Sequence, residues 1–455
     1  MSHPLPLIIP VENQLRELDA KLLLAVCAAN AGLSSYIGYR TEIDINITKF
    51  PQSIYLAKSF THRSDKMFRI LSKLGHIICA WDEEALVHYP ADIYFTRRLS
   101  PEALKHVSHI FAWGQENREL LQSYPELPAQ IPIHNVGNPR LDLFRSIFIP
   151  YFEESINNIK KEFGEYVLIN TNFGNVNAHL PIHNLFINKD SEGNYLERGR
   201  GSMGMSTEYA EGRARFKQSI FDNFISLVKY LAANLENLNI IIRPHPVENK
   251  NPYYHLAKNY KNVHVVQKGN VLPWIQASNS IVHNGCTTAI EACLAGKPAI
   301  AFEPVSSERY GDALPNNISY QCKTVNEVLD KILASTQGNL PATSHIPLDP
   351  FVVTSQNKLC SELIINIIKK IDPEEYSPAF IRRSHGSYLA NKRRAVKRIK
   401  GLFLHSKYHS SFQNVRFPTQ SEDQLSTKIE KLSEILGIQQ KIRIRQVSPH
   451  IFLVQ

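Results

Sequence analysis

Short apolar runs alternate with amphipathic stretches from the start of the chain. Apolar residues recur every three to four positions over Gln14–Asn30, which predicts a helix that Gly32 ends. Short apolar runs predict strands at Leu5–Pro10, Ser34–Gly38, Ser53–Leu56, Ile77–Ala80, Ile93–Thr96 and His109–Ala112. This repeated β-α order predicts a mostly parallel sheet that helices cover on both faces.

A second β-α series follows a break in this pattern. Gly and Pro punctuate 135–142, so we predict a domain boundary near residue 150. The polar, glycine-rich segment 171–214 predicts a long loop over a site. Strands are predicted at Tyr166–Asn170, Asn239–Arg243, Val263–Val266, Ser280–His283 and Ala299–Phe302, and helices at 216–235, 271–277, 287–295 and 355–371. We therefore expect an α/β protein in which two Rossmann-like domains, 1–150 and 151–375, face a cleft, with a C-terminal extension at 376–455.

Composition narrows the class of protein. With 455 residues and 43% apolar content, the chain should form packed cores rather than remain disordered. Its six scattered cysteines include no CxxC pair, which argues against a disulfide scaffold or a cysteine zinc site. No apolar run reaches about 18 residues, and no basic region precedes the first apolar stretch. We expect a soluble, cytoplasmic protein without a transmembrane helix or signal peptide.

The net charge of +9 belongs to one segment near the C-terminus. Ten Lys and Arg residues and no Asp or Glu lie between Tyr376 and Gln420, while 41 basic and 42 acidic residues lie elsewhere. Leu389, Val396, Ile399 and Phe403 recur among these cations, which predicts a basic amphipathic helix. Residues 382–407 could lie on an anionic membrane surface, or pack on the protein's own acidic surface. Nucleic acid is not expected as a partner, because stacking aromatics are not interleaved with the cations.

The first candidate motif follows the predicted strand Asn239–Arg243. Arg243 is followed there by Pro244, His245 and Pro246. Two prolines restrict the backbone at the strand end, and this restriction holds the guanidinium and the imidazole in place. Such a pair suits a phosphate. The alternative is a proline-rich turn with a surface histidine.

The second motif follows the predicted strand Ser280–His283. Asn284 and Gly285 form a tight turn before Thr287 and Thr288, which offer hydroxyls and backbone N–H groups at a helix N-terminus. Glu291 lies one turn into that helix and could accept hydrogen bonds from ribose hydroxyls. The alternative is ordinary capping of the helix by threonine.

The third motif is acidic and follows the predicted strand Ile77–Ala80. Asp82, Glu83 and Glu84 repel one another, which raises the pKa of at least one carboxyl toward the range of a general base. The alternative is an acidic helix N-terminus.

Four weaker candidates accompany these motifs. Glu12 and Arg16 follow the first predicted strand and could line the acceptor side, or form a surface ion pair. Asn172 opens the second half and could touch donor or phosphate, or lie in a turn. Arg140 belongs to the segment GNPR-x-D, a further candidate contact.

Together these motifs resemble the bacterial surface carbohydrate biosynthesis proteins. That family looks like GT-B glycosyltransferases and is similar to capsule Kdo transferases, to bacterial sialyltransferases and, more distantly, to CDP-glycerol glycerophosphotransferases. The resemblance covers about residues 5–372 and rests on DEE, GNPR-x-D, RPHP and HNGCTT-x-x-EA-x-x-x-GKP. It implies that Glu83 is the base of an acidic motif completed by Glu84, that His245 and Pro246 form the HP motif, and that Thr287 and Thr288 form the hydroxyl pair. Ala85 departs from the family's glycine.

The resemblance also implies a reaction. A sugar, Kdo or another nonulosonate, would pass by direct displacement from a CMP-activated donor to a lipid-linked or oligosaccharide acceptor in capsule or lipopolysaccharide synthesis. We expect no cofactor and no metal site, since no DxD-type motif is present. Such an enzyme could be peripheral at the inner face of the cytoplasmic membrane. The alternatives are a CDP-glycerol glycerophosphotransferase-like enzyme, a UDP-sugar transferase or epimerase, and a non-catalytic GT-B scaffold.

Overall fold

The computed structural model of the chain describes residues 4–342, 347–353, 358–376, 380–403, 408–409 and 417–455. The strands are β1 Leu7–Val11, β2 Ser35–Tyr39, β3 Ile54–Ala57, β4 Ile77–Ala80, β5 His109–Ala112, β6 Ile133–Asn135, β7 Tyr166–Asn170, β8 Phe186–Lys189, β9 Tyr195–Arg198, β10 Asn239–Arg243, β11 Val263–Val265, β12 Ser280–His283, β13 Ala299–Phe302, β14 Tyr320–Cys322, β15 Ile444–Ser448 and β16 Ile451–Val454. The helices are α1 Gln14–Asn30, α2 Arg40–Ile45, α3 Asp65–Leu74, α4 Ala91–Arg98, α5 Pro101–Leu104, α6 Gln115–Gln122, α7 Pro139–Asp142, α8 Ile149–Phe163, α9 Thr207–Asn234, α10 Asn251–Ala257, α11 Val271–Ala277, α12 Thr288–Leu294, α13 Ala313–Asn317, α14 Val325–Thr336, α15 Cys360–Ile368, α16 Phe380–Gly401 and α17 Glu422–Ile435.

The chain divides into two units. Unit 1 comprises Met1–Leu86, Tyr94–Tyr151 and Leu348–Gln455, as far as these ranges are described. Unit 2 comprises Val87–Ile93 and Phe152–Pro347, with the same restriction.

The sheet of unit 1 has eight strands in the order β15-β16-β2-β1-β3-β4-β5-β6. Strands β1 to β6 run parallel, whereas β16 is antiparallel to β2 and β15 is antiparallel to β16. The chain builds this sheet outward from β1 in both directions. A topological switch point therefore lies at the carboxyl ends of β1 and β3.

The main sheet of unit 2 has six parallel strands in the order β11-β10-β7-β12-β13-β14. Its switch point lies at the carboxyl ends of β7 and β12, since β7 pairs with β10 on one side and β12 on the other. The two sheets confirm the prediction of an α/β protein with two Rossmann-like domains.

Burial on both faces explains why the strand sequences are continuous apolar runs. Every residue of β7, Tyr166–Asn170, is buried. Helix α9 packs Phe224, Leu227 and Leu231 into the core of unit 2 at a spacing of three to four residues. Each such side chain contributes about 1.5–3 kcal/mol by leaving water.

The predicted strand at Ile93–Thr96 is wrong, because these residues lie in helix α4. The Tyr94 hydroxyl and the Arg98 Nε donate to Asp82 Oδ2 at 3.0 and 2.9 Å. One helical turn brings residues four apart onto the same face, whereas a strand would separate them by about 13 Å. A run of four residues was too short to reveal the helical period.

The predicted loop at 171–214 holds more regular structure than expected. Strands β8 and β9 form an antiparallel hairpin within it. Helix α9 begins at Thr207, earlier than predicted, because Ser206 Oγ accepts the N–H of Tyr209 at 3.1 Å and caps the helix.

The predicted domain limits at 151–375 and 376–455 differ from the units, because the chain returns to unit 1 at Leu348. Asp142 anchors this return. Its carboxylate is fully buried and accepts the N–H of Cys360 at 2.7 Å and both the N–H and the hydroxyl of Ser361 at 2.9 Å. Asp142 therefore binds the first turn of α15 across more than 200 residues of sequence. Of the predicted helix 355–371, residues 355–357 lie outside the described residues.

The C-terminal segment is likewise part of unit 1 rather than a separate extension. Strand β16 extends the sheet at β2, and α16 packs on α3. Lys428 Nζ of α17 lies 2.7 Å from Asp19 Oδ1 of α1. None of the helices in the described ranges has the length and apolar content needed to cross a membrane.

We predict that Asp142→Ala destabilises unit 1. The substitution leaves three buried donors on Cys360 and Ser361 without their acceptor, and each costs about 1–3 kcal/mol. We expect the free energy of unfolding, measured in urea, to fall by at least about 3 kcal/mol. Thr324→Ala removes an exposed cap of α14 and should cost only about 1 kcal/mol. Equal losses in the two variants would contradict the anchoring role.

Candidate functional site

A buried network of charges occupies the switch point of unit 1. Glu17 Oε2 accepts the N–H of Glu12 at 2.9 Å and the Nζ of Lys21 at 2.8 Å. Lys58, directly after β3, places its Nζ 2.7 Å from Glu12 Oε2 and 2.9 Å from Glu17 Oε1. Arg40 also pairs with Glu12. The structure thus places Glu12 in an ion-pair network.

The network keeps its members ionised. Burial alone would raise the pKa of Glu17, but the ammonium groups of Lys21 and Lys58 hold this pKa well below its usual value. Burial would lower the pKa of Lys58, and the carboxylates of Glu17, Glu12 and Glu83 raise it above its usual value instead. Lys58 therefore presents a fixed positive charge toward the acidic motif.

Within that motif, Glu83 is oriented by a tryptophan. Trp81 is buried, and its Nε1 donates to Glu83 Oε1 at 2.7 Å. Backbone bonds from Trp81 N to Ala57 O and from Glu83 N to Lys58 O fix the turn after β4 against the end of β3. One carboxylate oxygen of Glu83 is held in this way, and the group is half-buried. This arrangement suits a group that accepts a proton from a substrate hydroxyl.

Asp82 and Glu84 have different surroundings. The Asp82 side chain is buried, pairs with Arg98, and accepts from Tyr94. It holds the turn and α4 together, so the structure places it in a positioning role. Glu84 is exposed, with Oε1 at 3.5 Å from Nη1 of Arg16. The expected repulsion among the three carboxylates is relieved because Arg98 neutralises Asp82.

A small cavity of about 20 Å³ adjoins the motif. Glu83, Lys58, Arg16 and Arg140 all line it. The volume admits about one water-sized group, which is the size of a hydroxyl. The structure thus brings Arg16 and Arg140, both weaker sequence candidates, to the same place as Glu83.

In unit 2, the motif Arg-Pro-His-Pro follows β10. Arg243 donates to the carbonyls of Lys268 at 2.9 Å and Gly269 at 3.1 Å, and its guanidinium lies 5.0 Å from the centre of the Trp274 ring. Burial lowers the pKa of Arg243 to about 10. Two of its donor groups therefore brace the neighbouring loop.

His245 is oriented by its own turn. Its Nδ1 accepts the N–H of Val247 at 3.4 Å, which assigns the proton of the neutral ring to Nε2. In this tautomer Nε2–H is a hydrogen-bond donor, the kind of group that a phosphate contact requires. Pro246 follows and is exposed.

Glu248 holds this turn in place, and sequence reasoning missed it. Its buried carboxylate accepts the N–H groups of His245 at 3.0 Å and Phe173 at 3.1 Å, and the hydroxyls of Thr171 at 3.0 Å and Tyr253 at 2.5 Å. Burial raises the pKa of Glu248 despite these donors. One carboxyl thus joins the turn after β10 to the loop after β7.

Asn172 and Asn284 join the loops that meet at the switch point of unit 2. The Asn172 N–H donates to Asn284 Oδ1 at 2.9 Å, and Asn284 Nδ2 returns a bond to the Asn172 carbonyl at 3.3 Å. Asn172 Nδ2 also donates to the Gly285 carbonyl at 3.4 Å. Both sequence candidates therefore lie together and shape the turn.

The remaining residues of the second motif are more enclosed than predicted. Thr288 is buried, and its Oγ1 accepts from Asn170 Nδ2 at 3.1 Å. Glu291 is only 2% exposed, so its side chain is not accessible for the predicted contact with a ribose in this structure. Thr287 is half-buried directly before α12. Of the two hydroxyls, Thr287 is the more accessible.

Two buried cations lie behind the Gly285 turn and were also missed. Lys217 Nζ and Arg213 Nη2, both from α9, lie 2.5 and 3.2 Å from the two oxygens of Asp312. Burial would raise the pKa of Asp312, but these cations hold it below its usual value. An added Cβ on Gly285 would lie 2.9 Å from Asp312 Cβ, so this charged cluster directly backs the turn. Nothing in the sequence of α9 distinguishes Arg213 and Lys217 from surface cations.

Comparisons with known proteins show only distant likeness. No protein-family model matches the chain, and no curated protein matches it significantly. Among solved structures, the UDP-GlcNAc 2-epimerase of Methanocaldococcus jannaschii is 12% identical, with a TM-score of 0.48, over 80% of this chain and 99% of that one. The UDP-GlcNAc 2-epimerase of Neisseria meningitidis is 13% identical, with a TM-score of 0.47, over 80% and 99%. A variant of the wall teichoic acid polymerase TagF soaked with CDPG is 11% identical, with a TM-score of 0.47, over 82% and 89%.

We predict that Gly285→Ala is more damaging than Gly296→Ala. Both glycines have positive φ, +84° and +69°, so alanine costs about 1–2 kcal/mol at either. Only at Gly285 does the new methyl meet a neighbour, the Asp312 side chain, which adds about 1–3 kcal/mol. Urea unfolding should show the larger loss for Gly285→Ala. If both variants lose the same stability, the charged cluster does not constrain the turn.

Proposed function

We propose that the chain is a GT-B glycosyltransferase that moves a sugar from a nucleotide-activated donor to an acceptor in the synthesis of a surface polysaccharide. The observation that carries the proposal is that each unit has a polar site next to its switch point. Unit 1 offers Glu83, oriented by Trp81 beside a fixed ammonium group. Unit 2 offers His245, whose turn Glu248 joins to the loop after β7, and this loop contacts the Gly285 turn.

The proposed roles follow from these groups. In unit 1, Glu83 takes the proton of an acceptor hydroxyl as its oxygen attacks the anomeric carbon. The bond from that carbon to the donor phosphate breaks, and the nucleotide leaves with the electron pair. In unit 2, His245 Nε2–H and the backbone N–H groups around Gly285 and Thr287 stabilise the phosphate as its charge develops.

We propose a CMP-linked nonulosonate, such as Kdo, as the donor and a lipid-linked or oligosaccharide acceptor on the cytoplasmic side of the membrane. This choice of donor is supported by the acidic, HP and paired-threonine motifs, which carry the resemblance described in the sequence analysis. No group of three or more metal-binding side chains lies together among the described residues. A metal-independent reaction stays a prediction.

Nucleotide binding tests the donor site. We expect CMP to raise the melting temperature more than CDP, UDP or GDP does. His245→Ala should weaken CMP affinity about 10- to 100-fold, the contribution of one hydrogen bond to a charged group. His255→Ala is the matched control, because the ring of this exposed histidine of α10 bonds to the Asn251 carbonyl of its own helix.

Preference for CDP would instead favour a glycerophosphotransferase-like enzyme, and preference for UDP would favour a UDP-sugar enzyme. Binding of no nucleotide would contradict the transferase proposal. It would favour a non-catalytic scaffold.

Glu83→Gln tests the base. Glutamine keeps an oxygen for the Trp81 N–H but cannot take a proton, so kcat should fall about 10²–10⁴-fold while donor affinity stays unchanged. The measurement is CMP release from a CMP-activated nonulosonate with an extract of bacterial membranes as the source of acceptor. Glu84→Gln should change kcat by less than about fivefold, since an exposed pair such as Glu84–Arg16 contributes under about 1 kcal/mol. A larger effect at Glu84 than at Glu83 would reassign the base.

A further inference from the structure

Helix α16 carries an apolar ridge on the side turned away from the protein. Its packed side is defined by Gly386, Ala390 and Lys397, which are buried. At 100° per residue, Ile381, Tyr388 and Ile399 lie within about 20° of one another and about 165° from that packed side. The large apolar side chains that are exposed in the described part of this segment, between 44 and 81%, are Ile381, Tyr388, Val396, Ile399, Leu402 and Phe403.

The helix is held firmly on its inner side. An added Cβ on Gly386 would lie 2.9 Å from Lys73 Cβ, so α16 directly contacts α3. Arg393 Nη2 lies 3.4 Å from Asp44 Oδ2 of α2, and its Nη1 lies 3.0 Å from Met67 Sδ. Packing on unit 1 therefore leaves the apolar ridge outside.

Exposed cations lie on both sides of the ridge and, at Lys392, on the ridge itself. Arg382, Lys392, Arg398 and Lys400 are exposed, and none of them pairs with a carboxylate among the described residues. Packing on the protein's own acidic surface, one of the two alternatives raised by the sequence, therefore does not account for these four. Of the basic residues counted in the sequence, Lys407 and Arg416 lie outside the described residues.

We propose that this face of α16 binds the surface of an anionic lipid bilayer, with the ridge in the headgroup and acyl boundary and the cations at lipid phosphates. An apolar stripe flanked by lysine and arginine is the pattern of helices that lie in the membrane interface. Long basic side chains can extend to the headgroups while their stems cover apolar surface. Tyr388 and Phe403 are aromatic residues, which are common at this depth.

Neither a second copy of the chain nor nucleic acid matches both the charge and the apolar surface of this face. A second copy of the chain would bring one set of unpaired cations against another. Nucleic acid would satisfy the cations but would leave six apolar side chains without a partner. A bilayer with anionic lipids satisfies both sets at once. The inference does not depend on the proposed reaction, although a lipid-linked acceptor would lie on the same surface.

Vesicle flotation of the full chain tests this proposal. We expect binding to vesicles of equimolar phosphatidylcholine and phosphatidylglycerol and little binding to phosphatidylcholine alone. Raising NaCl from about 0.1 M to about 1 M shortens the Debye length from about 10 Å to about 3 Å and should weaken binding. Each cation contributes about fivefold, so replacing Arg382, Lys392, Arg398 and Lys400 with Gln should reduce affinity at least about 100-fold.

A second variant separates the apolar contribution from the charge. Ile381→Ser, Ile399→Ser and Phe403→Ser together should abolish flotation while leaving the melting temperature unchanged, since all three side chains are exposed. The matched control carries Tyr254→Ser, Lys258→Gln and Lys261→Gln, which remove one apolar and two basic exposed groups from unit 2, and it should float like the wild type.

Three outcomes would overturn the proposal. The first is that the wild-type protein does not float with anionic vesicles, and the second is that it floats equally well with uncharged ones. The third is that the wild type is a dimer and the ridge variant is a monomer. Nucleotide binding is measured without vesicles, so failure of the proposed reaction and failure of this inference are distinguishable.

Discussion

Parallel strands can be joined only by crossovers, and this constraint decides where chemistry can occur in the molecule. Each crossover returns the chain to the opposite edge, so all parallel strands of a sheet deliver their carboxyl ends to one edge. Where the order reverses, adjacent crossovers leave in opposite directions and open a crevice. The candidate groups lie next to such reversals: Glu83 follows β4, which pairs with β3 in unit 1, and His245 follows β10, which pairs with β7 in unit 2.

Buried charge gives these crevices their shape. In unit 1, Glu17, Lys21 and Lys58 neutralise one another. In unit 2, Asp312 is held by Arg213 and Lys217. A buried ion without such partners would be costly, so each network fixes its loops in one arrangement. The candidate reactive residues are only half-buried: Glu83 accepts from Trp81, and the backbone N–H of His245 donates to Glu248.

Much of the fold could be predicted from local patterns. Strands such as Ile77–Ala80 and Ser280–His283 are continuous apolar runs because both faces of a parallel sheet are covered, and the predicted and observed bounds agree. The helix at Ala91–Arg98 was missed because its apolar run is short, and the contacts of Tyr94 and Arg98 with Asp82 appear only in the folded chain. For the same reason Glu248 escaped notice. The Glu248 carboxylate accepts hydrogen bonds from the loop after β7 and from Tyr253 of α10. No sequence motif indicates that these donors lie close together.

By itself, the sequence determined the parallel parts of the two sheets, most of their strands and the places where polar motifs follow strand ends. These features depend on burial and backbone propensity, which act over a few residues. Only the tertiary structure decided that Asp82 is a buried partner of Arg98, that Glu83 is oriented by Trp81, and that Leu348–Gln455 returns to unit 1. Such pairings join residues far apart in the chain, and their energy depends on distance and desolvation in the folded molecule.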